Sequence, residues 1–266
     1  MYSRKKWVNI AKKNLKGGAT GQFKFVGTCE SCNSIVKESD VSSPSKCTRG
    51  LKIATKLGSG DVGVAYELKP GAQNKAINSA LDSNGIFVLK EVLIKNKNEL
   101  KQFNDEVCIG KYLGDIGVAP KIYNCWVCFD SADSNVSFPL KAYYVMDKID
   151  KIWKDAFPSG LNRGNKPASK NMEMKLVDVL ERMIAGGIIH QDNHPGNIGI
   201  MANGDVVLFD FGFSVIALQP ITYPETILMS QLYIVIEQYN KDIMFDSYLY
   251  DVIYAIRRGE YKSKHF

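Results

Sequence analysis

Three side chains with oxygen donors lie in and just after one polar stretch, the run IHQDNHPGN followed by VVLFDFG. Asp192 and Asn197 are five residues apart on a predicted loop, and Asp210 comes thirteen residues after Asn197 at the end of a predicted strand. Phosphoryl transfer needs a carboxylate that accepts the proton of the attacking hydroxyl, and hard oxygen donors that hold Mg²⁺ on the nucleotide phosphates. These three residues can supply both. The alternative, a polar loop beside an unrelated strand end, accounts poorly for this spacing.

A lysine lies inside an apolar segment that predicts a strand over residues 86–93. Lys90 is followed sixteen residues later by Glu106, on a helix predicted over residues 98–113. A lysine within a strand needs a counter-charge, and a pair across strand and helix would hold the ammonium where it can meet phosphate oxygens. Glu99 is the rival partner, but it lies at the helix start, so Glu106 is favoured. Considered alone, Lys90 would instead be a surface lysine with its head in water.

A glycine-rich turn separates two further predicted strands, at residues 51–57 and 62–68. Gly58, Gly60 and Gly63 follow the pattern G-x-G-x-x-G. In a dinucleotide-binding fold such glycines stand between a strand and a helix, whereas a strand on both sides indicates a hairpin that covers nucleotide phosphates. Glycine allows the backbone to approach the phosphate oxygens closely. The turn alone is also typical of an ordinary hairpin.

The remaining pattern predicts the elements that must position these residues. Two more strands, at residues 122–129 and 142–147, complete an antiparallel sheet that packs with the helix at 98–113. A loop is predicted at 155–171, and a second helix from 172 to 185 ends at Gly186-Gly187. Two short strands follow, and then helices at 225–238 and 241–257. The fold class is therefore α+β.

The first 50 residues differ in composition from the rest and predict a leader or small appendage rich in Gly, Ser, Thr and Lys. Residues 1–18 hold six basic residues and no acidic one, so the rest of the chain is balanced at 28 against 28. A basic tail of this kind can contact nucleic acid, an anionic membrane or an acidic partner surface such as that of a virion protein. The alternative is a solvated arm without a partner.

The cysteines of this leader have a spacing that suits part of a zinc site. Cys29, Cys32 and Cys47 could supply three thiolates, but a fourth ligand is missing, and free thiols are the alternative. A second C-x-x-C, at Cys125 and Cys128, lies in a predicted strand, where the two side chains point to opposite faces and chelate poorly.

Length and composition exclude several classes of protein. The chain has 266 residues, 45% of them hydrophobic and 23% charged, which excludes a disordered or fibrous chain and suits one large domain or two small ones. The longest apolar runs, 206–218 and 227–239, are shorter than a membrane span and carry acidic residues. The N-terminal run MYSRKKWVNI lacks the apolar region of a secretory signal. An intracellular, reducing location is the expectation.

The glycine turn, the lysine and glutamate, the H-x-D-x-x-x-x-N loop and the D-F-G motif cover about residues 51–212. Together they resemble the catalytic core of the protein-kinase-like superfamily. The resemblance implies a two-lobed fold, with the leader at 1–50, an N-lobe and hinge at 51–149 and a reduced, mainly helical C-lobe at 150–266.

The resemblance also implies a role for each matching residue. Lys90, paired with Glu106, would contact the α and β phosphates of ATP; Asp192 would be the catalytic base, and Asn197 with Asp210 would bind Mg²⁺. The hinge would be residues 146–149, with Met146 at the gatekeeper position. The nucleotide-binding set is then Gly58, Gly60, Gly63, Val64, Lys90, Met146, Asp147 and Ile149.

Departures from the protein-kinase pattern keep the substrate class open. Gln191 replaces the arginine before Asp192, so no side chain there could hold a phosphorylated activation loop. His194 replaces a lysine, and the run H-Q-D-N-H-P-G-N is similar to the loops of aminoglycoside and choline phosphotransferases and of the atypical kinases linked to coenzyme Q synthesis. Only 54 residues follow Gly212. Such a trimmed lobe resembles minimal kinases of viruses and bacterial effectors, and a large DNA virus is the predicted source.

Three functions are therefore considered. The first is an ATP-dependent protein kinase acting on Ser or Thr before Tyr, favoured by the complete set of three glycines, which aminoglycoside phosphotransferases usually lack. The second is a small-molecule phosphotransferase, favoured by the run from His194 to Asn197. The third is a kinase fold that serves as a structural component of a virion.

Overall fold

The computed structural model of the protein describes residues 51–60, 63–70, 85–128, 139–158, 166–217, 219–237 and 247–266. Along the described chain, one compact unit ends at Lys148 and another begins at Ile149. We call the first the sheet unit and the second the helical unit, after their main elements.

The sheet unit is a five-stranded antiparallel sheet with one long helix, as the sequence predicted. Its elements are β1 (Ile53–Ser59), β2 (Gly63–Leu68), β3 (Phe87–Ile94), α1 (Lys97–Asp115), β4 (Ile122–Cys128) and β5 (Leu140–Asp147). The spatial order is β1-β2-β3-β5-β4, so the central strand β3 lies between β2 and β5.

The two faces of this sheet bury separate apolar clusters, and β3 contributes to both. Phe87 and Leu89 point into one cluster, whereas Val92 and Ile94 point into the other, which also contains Phe103 of α1. Successive residues of a strand alternate between its faces. Lys90 therefore shares the face of Val92 and Ile94, on the side where α1 packs.

Helix α1 begins with a reciprocal cap that explains what Glu99 does. The Asn96 side chain accepts from the backbone N–H groups of Asn98 and Glu99, and Glu99 Oε2 accepts from the backbone N–H of Lys95 at 2.7 Å. Such caps stabilise a helix by about 1 kcal/mol. Glu99 is thus occupied at the helix start, as expected for the less favoured partner of Lys90.

The described part of the helical unit combines two small antiparallel sheets with three longer α-helices and a short one. Its strands are β6 (Lys151–Ile152), β7 (Ile188–Ile189), β8 (Ile198–Ile200), β9 (Val206–Leu208) and β10 (Val215–Ile216), and its helices are α2 (Trp153–Ala156), α3 (Lys166–Ala185), α4 (Pro224–Glu237) and α5 (Tyr248–Arg257). Strands β6, β8 and β9 form one sheet, and β10 pairs with β7 in the other.

Helix α3 forms the core of this unit. Leu176, Leu180 and Met183 are fully buried on the face that the helical spacing predicted. Near its start, the buried carboxylate of Glu173 accepts from the Ser247 hydroxyl and from the backbone N–H of Tyr248, where α5 begins. Burial raises the pKa of Glu173, and these hydrogen bonds oppose that rise.

Two predictions for this unit were wrong in their boundaries. The segment 155–171 was predicted as a loop, but it contains the end of α2, and α3 begins at Lys166 rather than at Met172. Pro167 is compatible with this early start because the first turn of a helix leaves its N–H groups unpaired. The helix predicted at 241–257 begins only at Tyr248, since Ser247 is its extended N-cap residue, and residues 241–246 lie outside the described residues.

Two cysteines of the sheet unit are in different states. Cys125, in β4, is a buried free thiol, whereas Cys108, on the buried face of α1, is disulfide-bonded. A reducing location predicts free thiols, so Cys108 departs from that expectation. Among the described residues, no helix is both long and apolar enough to cross a membrane.

Candidate active site

The glycine turn is a tight hairpin between β1 and β2. Ser59 pairs with Val64 across the two strands, and the backbone N–H of Gly60 donates to the carbonyl of Gly63 at 3.0 Å. Because the turn joins strand to strand, the dinucleotide-binding alternative does not apply here. Asp61 and Val62 lie outside the described residues.

The three glycines are needed for different reasons. A Cβ atom at Gly58 or Gly60 would meet nothing within 4 Å, so these positions are open to an approaching ligand. A Cβ atom at Gly63 would overlap with the backbone carbonyl of Glu91 in the neighbouring strand β3. Gly63 therefore permits the close pairing of β2 with β3, a reason that the sequence pattern did not reveal.

Lys90 forms an ion pair with Glu106 inside the sheet unit. Its Nζ atom donates to Glu106 Oε1 at 2.8 Å, and the side chains are 16% and 7% exposed. The Tyr144 hydroxyl donates to the same oxygen at 2.9 Å, and the Lys90 ammonium lies 5.5 Å from the centre of the Tyr144 ring. Tyr144 is the cross-strand neighbour of Lys90 in β5.

This arrangement limits where the ammonium can lie. A buried charge is tolerated when it is paired and hydrogen-bonded, and the Tyr144 hydroxyl is a second donor to the Glu106 oxygen that accepts from Lys90. Tyr144 was missed by the sequence reasoning. Its signal was available, because a residue opposite Lys90 on the adjacent strand lies about 5 Å away on the same face.

The predicted hinge residues lie where the chain passes from the sheet unit to the helical unit. Asp147, the last residue of β5, accepts from the Tyr123 hydroxyl at 2.8 Å and from the Lys121 backbone N–H at 3.2 Å. Burial, and then the hydrogen bond and charge of Asp147, raise the pKa of Tyr123 above its usual range. The backbone N–H of Asp147 also donates to the Lys121 carbonyl at 3.1 Å, so both the carboxylate and the backbone of Asp147 hold the start of β4.

The other two residues assigned to nucleotide binding in the predicted hinge, Met146 and Ile149, have different surroundings. Met146 packs at the edge of the cluster that faces α1. Ile149 belongs to the helical unit, where its side chain covers Gly199 so closely that a Cβ atom there would lie 2.8 Å from it. The Ile149 side chain therefore packs against strand β8 whether or not a ligand is bound.

In the helical unit, a buried histidine connects the loop that carries Asp192 with the end of β9, just before Asp210. His190 is fully buried; its Nε2 is 2.9 Å from the Phe209 carbonyl, and its Nδ1 accepts from the Asp192 backbone N–H at 3.3 Å. Burial lowers the pKa of His190, which favours the neutral ring with its proton on Nε2. The imidazole lies 5.0 Å from the ring centre of Phe211.

Asp192 and Asn197 are linked directly within this loop. Asn197 Nδ2 donates to the Asp192 carbonyl at 2.9 Å and approaches its Oδ2 at 3.5 Å. Because the amide nitrogen faces Asp192, the amide oxygen Oδ1 of Asn197 keeps its capacity as an acceptor. The loop therefore offers a carboxylate and an amide oxygen from neighbouring positions.

Asp210 comes to the same end of the β8–β9 hairpin as Asn197. Ile198 pairs with Leu208 across the hairpin, and the Phe209 backbone N–H donates to the Asn197 carbonyl at 3.1 Å. The twelve residues between Asn197 and Asp210 thus form an antiparallel hairpin whose two ends lie side by side. The structure brings together Asp192, Asn197 and Asp210 as one set within the helical unit.

Two residues of this set of loops adopt a left-handed backbone. Gln191 has a φ of 64° and Asp210 has a φ of 63°. Side chains other than Gly, Asn and Asp rarely adopt this conformation, and it costs about 1 kcal/mol or more. Asp210 tolerates this conformation, whereas Gln191, directly before Asp192, is a strained position of the kind that clusters at functional sites.

Asp210 and Asn197 fit a Mg²⁺ ion by the chemistry of their donors. Mg²⁺ takes oxygen ligands, usually one or two protein carboxylates or amides with substrate phosphates and water. No group of three or more His, Cys, Asp or Glu residues forms a metal site within the described ranges. Two protein oxygen donors are nevertheless what a magnesium–nucleotide site uses. The proposed zinc ligands Cys29, Cys32 and Cys47 lie outside the described residues, and zinc has no support elsewhere.

The five-stranded sheet with its Lys–Glu pair, and the unit with the D-x-x-x-x-N loop and D-F-G motif, define a kinase-like fold. Consistent with this, residues 162–243 match the family model described as the ABC1 atypical kinase-like domain. The match covers the loop with Asp192, the D-F-G motif and helix α4, which is less than a third of the chain. No curated protein matches the chain.

Proposed function

We propose that the protein is a Mg²⁺-dependent phosphotransferase that moves the γ-phosphoryl group of ATP to a protein hydroxyl, Ser or Thr before Tyr. The kinase-like fold makes phosphoryl transfer the reaction class. The main observation in favour of ATP as the phosphoryl donor is the buried Lys90–Glu106 pair on the α1 face of the sheet. Its Nζ and Oε1 atoms are 2.8 Å apart. A structural protein gains little from such a pair, because apolar residues of the same size are usually at least as stabilising.

In this reaction the residues of the sheet unit bind the nucleotide. The backbone N–H groups of Gly58 and Gly60, whose surroundings are open, cover the phosphates. The Lys90 ammonium contacts the α and β phosphates, and Glu106 keeps it from moving away when no nucleotide is bound. Met146 borders the adenine at the predicted hinge, residues 146–149.

The residues of the helical unit perform the transfer. Asp192 accepts the proton of the attacking hydroxyl, and Asn197 holds the loop in place through its bond to the Asp192 carbonyl. Asn197 Oδ1 and the Asp210 carboxylate would hold Mg²⁺, which supplies charge stabilisation for the phosphoryl oxygens. The neutral, buried His190 fixes the backbone on both sides of this set.

A thermal unfolding experiment tests nucleotide binding first. Wild type and Asp210→Ala are heated with and without ATP and Mg²⁺, because a ligand that binds only the folded state raises the midpoint. We expect a metal-dependent rise in wild type that is lost in Asp210→Ala. Asp205→Ala, in the exposed turn between β8 and β9, is the matched control and should keep the rise. No rise in wild type would favour the structural-component alternative.

A second candidate is a small-molecule phosphotransferase. It is favoured by the match to the ABC1 atypical kinase-like domain, which includes the run from His194 to Asn197. It is also favoured by the early start of α4 at Pro224, soon after the D-F-G motif, which leaves a short segment for holding a peptide. Release of ADP with a panel of hydroxylated metabolites but not with protein acceptors would replace the first proposal by this one.

The partner of the basic N-terminal tail, a virion or nucleic-acid contact, and the viral source remain predictions. Residues 1–18 lie outside the described residues. Deleting residues 1–50 should spare ADP release and weaken binding to polyanions such as heparin. Loss of ADP release would instead make the leader part of the catalytic domain.

A further inference from the structure

His194 lies two residues after Asp192, and its ring has a fixed hydrogen-bonding pattern. The backbone N–H of Gly196 donates to His194 Nδ1 at 3.0 Å, in the cap of the short 3₁₀ turn at Pro195–Asn197. A ring nitrogen that accepts a hydrogen bond carries no proton. The neutral imidazole of His194 therefore has its proton on Nε2.

The protonated nitrogen faces the carboxylate of Asp192. His194 Nε2 lies 3.9 Å from Asp192 Oδ2, and Asn197 Nδ2 lies 3.5 Å from that same oxygen. The first distance is longer than a hydrogen bond, and a small ring rotation would bring it into range; functional hydrogen bonds are often long before substrate binds. Two N–H donors thus approach one oxygen of Asp192 from different residues of the loop.

The position of the ring is set by its neighbours rather than by its own flexibility. A Cβ atom at Gly196 would lie 2.6 Å from the ring carbon Cε1 of His194, so only glycine leaves room for the ring. The His194 carbonyl accepts from the Asn197 backbone N–H at 2.8 Å. The run H-P-G-N is therefore one structural unit that aims an imidazole N–H at Asp192.

We propose that His194 is a positioning residue: its Nε2–H holds the rotation of the Asp192 carboxylate, together with Asn197. The proposal rests on the function proposed above, in which Asp192 accepts the hydroxyl proton. Two donors directed at Oδ2 limit the rotation of the carboxylate that accepts this proton. Partners that orient metal ligands contribute about 10- to 100-fold to activity, and we expect an effect of that size for His194.

Two substitutions separate this role from that of the helix cap. In His194→Asn, the amide oxygen can occupy the place of Nδ1 and accept from Gly196, but no group reaches Asp192. In His194→Gln, the amide nitrogen can occupy the place of Nε2 and face Asp192, while the cap is weakened. We expect His194→Asn to keep the wild-type melting temperature and the KM for ATP while kcat for ADP release falls about 10-fold or more. His194→Gln should recover most of the lost kcat. Wild-type kcat in His194→Asn, or losses in both variants that follow their melting temperatures, would overturn the proposal.

A spectroscopic measurement tests the contact between His194 and Asp192 independently of enzymatic activity. Long-range proton–nitrogen correlation spectra of ¹⁵N-histidine-labelled full-length protein at pH 8 report which ring nitrogen carries the proton, and His194→Asn identifies the signal. We expect the proton on Nε2 and a change in this signal in Asp192→Asn, but not in Asp205→Asn. A proton on Nδ1, or no response to Asp192→Asn, would overturn the proposal. If wild type released no ADP while this response was present, the proposed function would fail and the contact would stand.

Discussion

The two units carry charged residues in contrasting ways. In the sheet unit, Lys90 and Glu106 project from a regular strand and a regular helix, and their pair is buried and supported by Tyr144. In the helical unit, Asp192 and Asp210 lie on irregular backbone, next to or at positions with a left-handed conformation.

This difference indicates a division of labour. Groups on regular elements are held by packing and keep their geometry when a ligand is absent. Groups on loops depend on a few hydrogen bonds, here those of His190, Asn197 and Phe209. We therefore expect substitutions in the sheet unit to change stability, and substitutions in the loop of Asp192 to change activity with little change in stability.

The largest expected effect is on turnover. Asp192→Asn removes the proposed proton acceptor while keeping the size of the side chain, so kcat for ADP release should fall by about 10²- to 10⁴-fold. The melting temperature should stay near that of wild type. Asp205→Asn, which removes an exposed charge of the same unit, is the control and should keep full activity. A stable Asp192→Asn protein with normal kcat would show that another group is the base.

The ion pair of the sheet unit should dominate stability. Lys90→Met leaves Glu106 buried without its counter-charge and should lower the free energy of unfolding by about 3 kcal/mol. Lys101→Met is a matched control, because Lys101 pairs with Asp105 at 2.7 Å on the exposed surface of α1, the helix that carries Glu106. An exposed pair contributes about 0 to 1 kcal/mol. Urea denaturation measures the free energy of unfolding of both variants. Equal decreases in Lys90→Met and Lys101→Met would show that burial does not strengthen the Lys90–Glu106 pair.

Two glycines of one turn should respond differently to the same substitution. Gly63→Ala places a methyl group against the Glu91 carbonyl and should cost about 1 to 3 kcal/mol of stability. Gly58→Ala meets no neighbour and should leave the melting temperature unchanged, while its methyl group weakens ATP binding. Isothermal titration with ATP and Mg²⁺ measures the affinity. Equal melting temperatures for the two variants would mean that β2 can move away from β3.

The smallest expected effect is a pH dependence of stability that comes from His190. Burial lowers its pKa in the folded state, so below the unfolded pKa of about 6.5 the unfolded chain binds a proton that the folded chain does not. The stabilisation is complete above this pH, and it should be lost at up to about 1.4 kcal/mol per pH unit as the pH falls towards the folded pKa. Urea denaturation between pH 7.5 and 5.5 measures the slope. A folded His190→Gln variant should show a smaller slope, and an identical slope would assign the effect to other groups.

The sheet unit was largely predictable because its strands follow simple apolar patterns. Glu99 shares the helical face of Glu106, and its place at the helix start, only nine residues after Lys90, was sufficient to predict which acid lies near the lysine. The separate reason for Gly63 could not be predicted, since it depends on how closely β2 approaches β3. The domain boundaries after residues 50 and 149 remain predictions.

The helical unit was less predictable, for physical reasons. Strand β6 and helix α2 are too short to give a periodic pattern, and Pro167 with its polar neighbours hid the start of α3. The motif predicted that Asp192, Asn197 and Asp210 serve one site, but not the left-handed backbone at Gln191, because glutamine gives no local signal for it. His190 was visible only as part of the H-x-D motif, and its bond to Phe209 requires the fold.

The contacts that hold the candidate groups join residues that are close along the chain. Lys90 and Glu106 are 16 residues apart, His190 and Phe209 are 19 apart, and Asp192 and Asn197 are five apart. Closing loops of this length costs little chain entropy, and contacts of low sequence separation form early in folding. These three contacts can therefore form during synthesis from short stretches of nascent chain, the lysine and glutamate first, whereas the bond from Tyr144 to Glu106 follows later.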